Sequence, residues 1–435
     1  MVTNYVVIGG GTAGWLTALF VKETIPYSDV TVVASSEIGI LGAGEGTTHQ
    51  FIDFLKIIKI DPEDIVCHAR GTIKNGIKFT NWHGDGTYYY HPFWKSNTFS
   101  DAEQLCETHR VNYTLDFQKQ DIDALHFDAS LLAKYLENIG VSRGIKLIDD
   151  NVVDIVTDED NYITQLKLKS NILIDTKFVF DCSGFKRLII GNYYKSPWKS
   201  YHDLLPVNRA LPFFVDNSEE SNLPPYTEAT AMKYGWMWRI PVQGRYGCGY
   251  VFDSKYASDE EIKKEIEDYL GHSITSPRVF DFNAGCYTQT WINNCIAIGL
   301  SSGFAEPLEA TSIWVQTASL LLLPQLMKGI INRDQKQIDF YNYSVNNINQ
   351  DIVNFLHYHY LSGRSDTEFW NNFKSQADVD DLMNGTSRDH YIGRESWYAV
   401  GNGLKLMNLD LGTDTLIDLD NYVTHAQYIE HVKHI

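Results

Sequence analysis

Residues 5–14, Tyr-Val-Val-Ile-Gly-Gly-Gly-Thr-Ala-Gly, decide how the rest of the chain is read. Tyr5 to Ile8 is a short apolar run, Gly9 to Gly14 is a tight turn, and Trp15 to Glu23 has helical spacing. Asp29 to Ala34 is a second β-rich run, which completes a βαβ unit. The turn is a G-x-G-x-x-G between strand and helix. Gly9 allows the sharp bend, Gly11 lets the backbone approach a pyrophosphate, and Gly14 lets helix and strand pack closely. Free N–H groups at the start of the helix, beside Thr12 and Ala13, then face the anion. A dinucleotide site is the functional reading; an ordinary glycine-rich turn is the bland one. The acid expected on the ribose is missing, because Val30–Val33 is followed by Ala34-Ser35-Ser36. Glu37 or a serine hydroxyl such as Ser36 would have to substitute. No second dinucleotide fingerprint is visible.

Working outward, the chain has 435 residues, 44% hydrophobic and 21% charged, which is globular composition and excludes a disordered chain. Its net charge of −19 disfavours nucleic acid and anionic membrane surfaces as partners. Six cysteines without a C-x-x-C pair fit neither a zinc ribbon nor a disulfide scaffold, and point to a reducing compartment. The N-terminus has no basic segment ahead of an apolar run. The most apolar later stretch, 313–331, carries Gln316, Thr317, Ser319, Gln325 and Lys328, too polar for a lipid-exposed span. A soluble, cytoplasmic protein is expected, with a homo-oligomer left open.

The expected fold class is α/β: a Rossmann-like dinucleotide-binding core with a substrate-side antiparallel sheet and a C-terminal helical cap. The dinucleotide-binding βαβ unit spans residues 1–52, and an insertion at 53–145 contains an aromatic loop from Tyr88 to Trp94. Short strands at Val152–Val156, Ile163–Leu168 and Thr176–Phe180 return the chain to the core within 146–190. Alternating residues within 191–290 give the sheet. Residues 291–330 come back to the cofactor, and 331–435 read as helical.

Several further segments, in order along the chain, together resemble the flavin-dependent halogenase family typified by tryptophan halogenases. Trp236-Met237-Trp238-Arg239-Ile240-Pro241 matches its W-x-W-x-I-P signature, and Gly303–Thr311 resembles its G-F-x-E-P-L-E-S-T segment. Thr72–Phe79 is similar to the segment that bears the active-site lysine. Gly42–Thr47 resembles the flavin-side G-V-G-E loop; His126-Phe127-Asp128 and Phe369-Trp370 also fit.

The resemblance implies FAD used as FADH2 from a separate flavin reductase, with O2 and a halide ion as co-substrates. Halide is oxidised to hypohalous acid, which crosses a tunnel to an electron-rich aromatic substrate of indole or phenol type. Lys74 would meet that oxidant as a neutral or strongly polarised amine, and Glu309 would orient it and take the proton lost from the ring. Thr311 and Ser312 match the halide site, where several tryptophan-specific members have Gly in place of Ser312. Further cofactor contacts are implied at Ser36, Gly44, Glu45, Leu300 and Ile313, and an aromatic substrate cage at His91, Phe93, Phe369 and Trp370. Trp236 and Trp238 face one side of a strand, either as core aromatics or as a barrier between substrate and flavin.

His357 and His359 have no acid or cysteine at ligand spacing, so they read as a satisfied helix-face pair, and no metal is expected. Two other readings compete. A flavin monooxygenase of the same fold would need neither Lys74 nor Glu309, and a non-catalytic flavin-binding protein would not need W-x-W-x-I-P either.

Overall fold

A computed structural model describes residues 3–434 apart from 40–44, 94–97, 118–121, 219, 277, 374–390, 410 and 412–416. Thr3–Ile8 forms the centre of a sheet because Tyr5, Val6, Val7 and Ile8 are apolar on both faces, as a strand covered on both sides requires. Among the described residues that sheet has six strands in the spatial order Trp291–Ile292, Cys295–Ala297, Phe178–Asp181, Thr3–Ile8, Ser28–Ala34 and Lys146–Asp149. All neighbours run parallel except the first pair. Residues 178–181 and 295–297 thus return the chain to the glycine turn from two distant parts of the sequence.

Helix Thr12–Thr24 crosses from the first strand to the second, and Trp15, Leu16, Leu19 and Phe20 are buried along it. Its ring Trp15 lies against Gly140 of helix Ala129–Ser142, where a Cβ would come within 2.7 Å of the indole. The Val152–Thr157 and Ile163–Leu168 strands leave the main sheet and pair with Leu173–Asp175 in a small antiparallel sheet.

A second large sheet faces the cofactor core. Its described strands follow the order Phe280–Asp281, Arg209–Asp216, Arg245–Phe252, Gly235–Val242, Thr227–Ala231, Gly76–Thr80 and Tyr88–Pro92. Pairing is antiparallel except between Thr227–Ala231 and Gly76–Thr80. Residues 88–92 are therefore an edge strand and not the aromatic loop the sequence suggests. Successive tyrosines here point to opposite faces, so an aromatic run that looks irregular in one dimension is a regular strand in three. Trp94 falls outside the described residues.

The C-terminal part is dominated by the 26-residue helix Gln335–Tyr360. It is not helical throughout: Tyr422–Thr424 pairs with Arg110–Thr114. One apolar core fills the space beneath the parallel sheet; another, rich in tryptophan, lies between the second sheet and the long helix. No described helix is long and apolar enough to cross a membrane, and all six cysteines are free thiols.

Candidate active site

A single cavity of about 1490 Å³ begins at the glycine turn and continues to the second sheet. That exceeds the roughly 300–1,000 Å³ of an ordinary small-molecule pocket. Gly9 has φ 119°, and a Cβ there would overlap the carbonyl of Cys182. A Cβ on Gly14 would overlap the carbonyl of Gly9, so Gly14 sits behind the turn, while Gly11 meets nothing within 4 Å and opens on the cavity. Gly11 also caps helix Thr12–Thr24 without a side-chain hydrogen bond, which leaves its first N–H groups for a ligand. These features suit a dinucleotide pyrophosphate. Gly9, Gly11, Thr12, Ala13, Ser36, Glu45, Leu300 and Ile313 all line the cavity; Gly44 lies outside the described residues.

A carboxylate that the βαβ pattern could not reveal borders the cavity beside Ser36. Asp149, at the end of the neighbouring strand Lys146–Asp149, lines the same cavity. It accepts hydrogen bonds from the Ser36 N–H (2.8 Å) and hydroxyl (2.7 Å), which hold its carboxyl below the usual range. Ser36 and Asp149 line the cavity there, and Glu37 does not.

Lys74 ends the short strand Thr72–Lys74 and is completely buried, yet borders the cavity. Its ammonium donates to the Thr47 carbonyl (2.9 Å) and stands 4.8 Å from the centre of the Phe93 ring. Burial lowers its pKa to about 7, against the opposing pull of Glu309, so near neutral pH the side chain is divided between amine and ammonium.

Glu309 is 4% exposed and borders the cavity from the segment that precedes helix Thr311–Leu321. Glu309 and the following Ala310 have φ of 63° and 54°, a left-handed pair of non-glycine residues that turns the carboxylate inward. Nδ1 of His91 lies 2.9 Å from both carboxylate oxygens, and Nε2 of His359 lies 2.9 Å from Oε1. Nδ1 of His359 faces the Phe355 carbonyl at 2.8 Å and so carries a hydrogen; Nε2 and the carboxylate hold one proton between them. Burial pushes the Glu309 pKa up, but the two imidazoles outweigh it, and the group is held well below the ordinary carboxylate range. Hydrogen bonds to a charged group are worth roughly 1.5–3 kcal/mol each, enough together to offset several kcal/mol of desolvation.

The left-handed Ala310 also caps helix Thr311–Leu321 without a side-chain bond, so the helix presents bare N–H groups where Thr311 and Ser312 line the cavity. Trp236 and Trp238 line the same cavity from one strand, with ring centres 6.2 Å apart. Gly249 on the next strand makes room for Trp238, whose ring a Cβ would overlap.

The expected aromatic cage is arranged differently. His91 is buried as a partner of Glu309, and Phe93 is buried beside Lys74. Phe369 and Trp370 are fully buried in the second core and do not line the cavity. Trp370 packs on Tyr360 and Phe373 and donates to the Met232 carbonyl at 2.7 Å. The reading of His357 and His359 as one satisfied pair also divides: His357 bonds the Leu204 carbonyl, whereas His359 holds Glu309. No group of three or more potential metal ligands occurs among the described residues.

Comparison with known proteins gives this geometry a family. The model of the tryptophan halogenase family matches residues 4–123 and 101–388. The chain is 31% identical to a tryptophan 6-halogenase of Streptomyces toxytricini, over 88% of this chain and 83% of that protein. It is 32% identical to a 7-chloro-L-tryptophan 6-halogenase of Kutzneria sp. (strain 744), over 87% and 83%. The crystal structure of the Streptomyces toxytricini enzyme superposes with a TM-score of 0.87 over 99% of this chain and 96% of that one, at 28% identity.

Proposed function

The chain belongs to the tryptophan halogenase family, and from that premise we propose that it is an FADH2-dependent halogenase acting on an electron-rich aromatic substrate of indole or phenol type. The observation that carries this reading is that Lys74 and Glu309, each buried, border the same cavity that opens at the glycine turn. FAD, when bound in reduced form, supplies with O2 the oxidising equivalents that convert halide to hypohalous acid. Gly11, Thr12 and Ala13 would hold its pyrophosphate, Ser36 with Asp149 its ribose, and Glu45, Leu300 and Ile313 the remainder.

Backbone N–H groups of Thr311 and Ser312 would bind the halide at the helix start. The Trp236–Trp238 wall keeps organic substrate out of the flavin end and favours halogenation over oxygen insertion. Lys74 receives the hypohalous acid by hydrogen bonding and presents its halogen to the ring. Glu309, ionised and facing the same space, stabilises the positive charge that develops as the carbon–halogen bond forms, and then accepts the ring proton. A carboxylate with a depressed pKa is a weak base, but an arenium ion is a far stronger acid, so position and charge matter more here than basicity. Electrons would come from a separate flavin reductase, and the six free thiols suit the cytoplasm.

The test is a panel of indoles and phenols incubated with enzymatically reduced FAD, air and chloride or bromide, read by mass spectrometry. Halide-dependent monohalogenated products are expected. Oxygenated products formed without halide would favour a monooxygenase, and no product from any substrate would favour a flavin-binding protein.

A further inference from the structure

Behind Lys74 lies a buried polar chain whose hydrogen-bond direction can be worked out atom by atom. In the small sheet Glu45–Gly46, Ala124–Phe127, Thr72–Lys74, the central strand places His126 opposite Gly46 on one side and Thr72 on the other. Thr72 and Lys74 are two residues apart, so their side chains share the face that His126 occupies. The hydroxyl of Thr72 lies 2.6 Å from the Pro241 carbonyl, which can only accept, so the single hydroxyl hydrogen is used there. Nδ1 of His126, 3.1 Å from the same oxygen, must then be the donor. Burial, with the charge of Lys74 and the proximity of His425, keeps the His126 pKa well below its ordinary value and the ring neutral. Nε2 is therefore a bare acceptor, and the Thr227 hydroxyl, 2.9 Å away, must donate to it.

This leaves the lone pairs of the Thr227 oxygen directed away from His126, and Thr227 borders the cavity. A Cβ on Gly46 would lie 3.3 Å from Nζ of Lys74, 3.4 Å from Cδ2 of His126 and 3.5 Å from Oγ1 of Thr227. The amine, the imidazole and the hydroxyl thus meet around the methyl group that glycine omits.

We propose that the Thr72–His126–Thr227 chain fixes the Thr227 oxygen as a hydrogen-bond acceptor beside Lys74, which makes Thr227 and His126 positioning residues for that amine. A buried lysine with one carbonyl acceptor and one aromatic face has hydrogens to spare. An oriented acceptor nearby selects which N–H points into the cavity. It also stabilises the ammonium against the desolvation that favours the amine. The charged or titratable groups near this cluster are Glu309 and Glu45, which border the same cavity, and His425, the Nε2 of which accepts from the Ile73 N–H. The role assigned to the amine rests on the halogenase reading; the hydrogen-bond chain does not.

The test compares wild type, Thr227→Val and Thr227→Ser. The pH dependence of Lys74 acetylation by dilute acetic anhydride, in the absence of flavin, halide and substrate, is followed by peptide mass spectrometry. Valine keeps the shape and removes the acceptor, so the labelling midpoint of Lys74 is expected to fall by about one pH unit, a roughly tenfold change in the protonation equilibrium. Serine should restore the wild-type midpoint. In turnover, Thr227→Val should lower kcat about tenfold with little change in halide or substrate KM, since binding contacts remain. An unchanged midpoint in Thr227→Val, or an equal shift in Thr227→Ser, would overturn the proposal. Because labelling needs no catalysis, a shifted midpoint in a protein that makes no halogenated product would count against the halogenase reading alone.

Discussion

Lys74 is the side chain on which the chemistry and the burial meet most directly. Its pKa near 7 places the amine–ammonium change within the working pH range. The neutral amine alone keeps a lone pair that can accept a halogen, and it still has N–H groups to hydrogen-bond the oxidant. Halogenation kcat/KM is therefore expected to rise as pH climbs through about 7, and Lys74→Arg, which cannot lose its charge, should be inactive. Glu45, which borders the same cavity, is also raised to about 7, by burial first and by Asp128 second. The pH–rate profile should accordingly be measured on Glu45→Gln as well: the rising limb survives there if Lys74 sets it, and disappears if Glu45 does. His359 supports a second expectation. Replacing it with Phe removes one of the two donors that hold Glu309 ionised, so the carboxyl pKa should rise. At roughly 1.5–3 kcal/mol for a hydrogen bond to a charge, the single-turnover rate should fall about ten- to a hundredfold. A rate within twofold of wild type would show that His91 alone positions the base. Sequence reading missed the role of His359 because fifty residues separate it from Glu309, and no local pattern links a histidine in the last turn of a helix to that carboxylate.

At the scale of elements, the glycine turn separates two functions that share one motif. Gly14→Ala places a methyl against the Gly9 carbonyl and should destabilise the whole core, visible as a lower unfolding temperature without ligand. Gly11→Ala meets no protein atom, so the unfolding temperature should hold while FAD affinity, measured by flavin fluorescence, falls tenfold or more. Equal loss of stability in both variants would contradict this division. The βαβ unit was legible because a short continuous apolar run leads through a recognisable glycine turn into a stretch of helical spacing. The tryptophan pair was legible as same-side residues, since strand period alone puts Trp236 and Trp238 together. Asp149 was not, because which strand lies beside the second one is set by the parallel crossover through helix Ala129–Ser142 and not by neighbouring residues. Phe369 and Trp370 mark another limit: an adjacent aromatic pair looks the same in sequence whether it lines a pocket or fills a core. Here Tyr360, Phe373 and Trp82 surround them.

For the molecule as a whole, two sheets meet along one cavity, and the proposed chemistry draws on residues of both. The parallel sheet supplies the glycine turn; the second sheet and the long helix supply Trp236, Trp238, His91 and His359, and Lys74 comes from the separate small sheet. A single dinucleotide turn in the sequence leaves no evident place for a nicotinamide donor. The purified chain is expected not to oxidise NADH or NADPH, and to turn over only when a flavin reductase or chemically reduced FAD is added. Nicotinamide consumption by the protein alone, followed at 340 nm, would contradict a two-component system. The central claim is that Lys74 delivers an oxidant formed elsewhere in the same cavity. It is tested most directly by comparing wild type with Lys74→Ala, supplied with reduced FAD, bromide, air and an accepted aromatic substrate. Ring bromination is quantified by mass spectrometry and FAD affinity by fluorescence. The account predicts unchanged FAD binding and bromination reduced by at least a hundredfold; bromination at near wild-type rate in Lys74→Ala would contradict it.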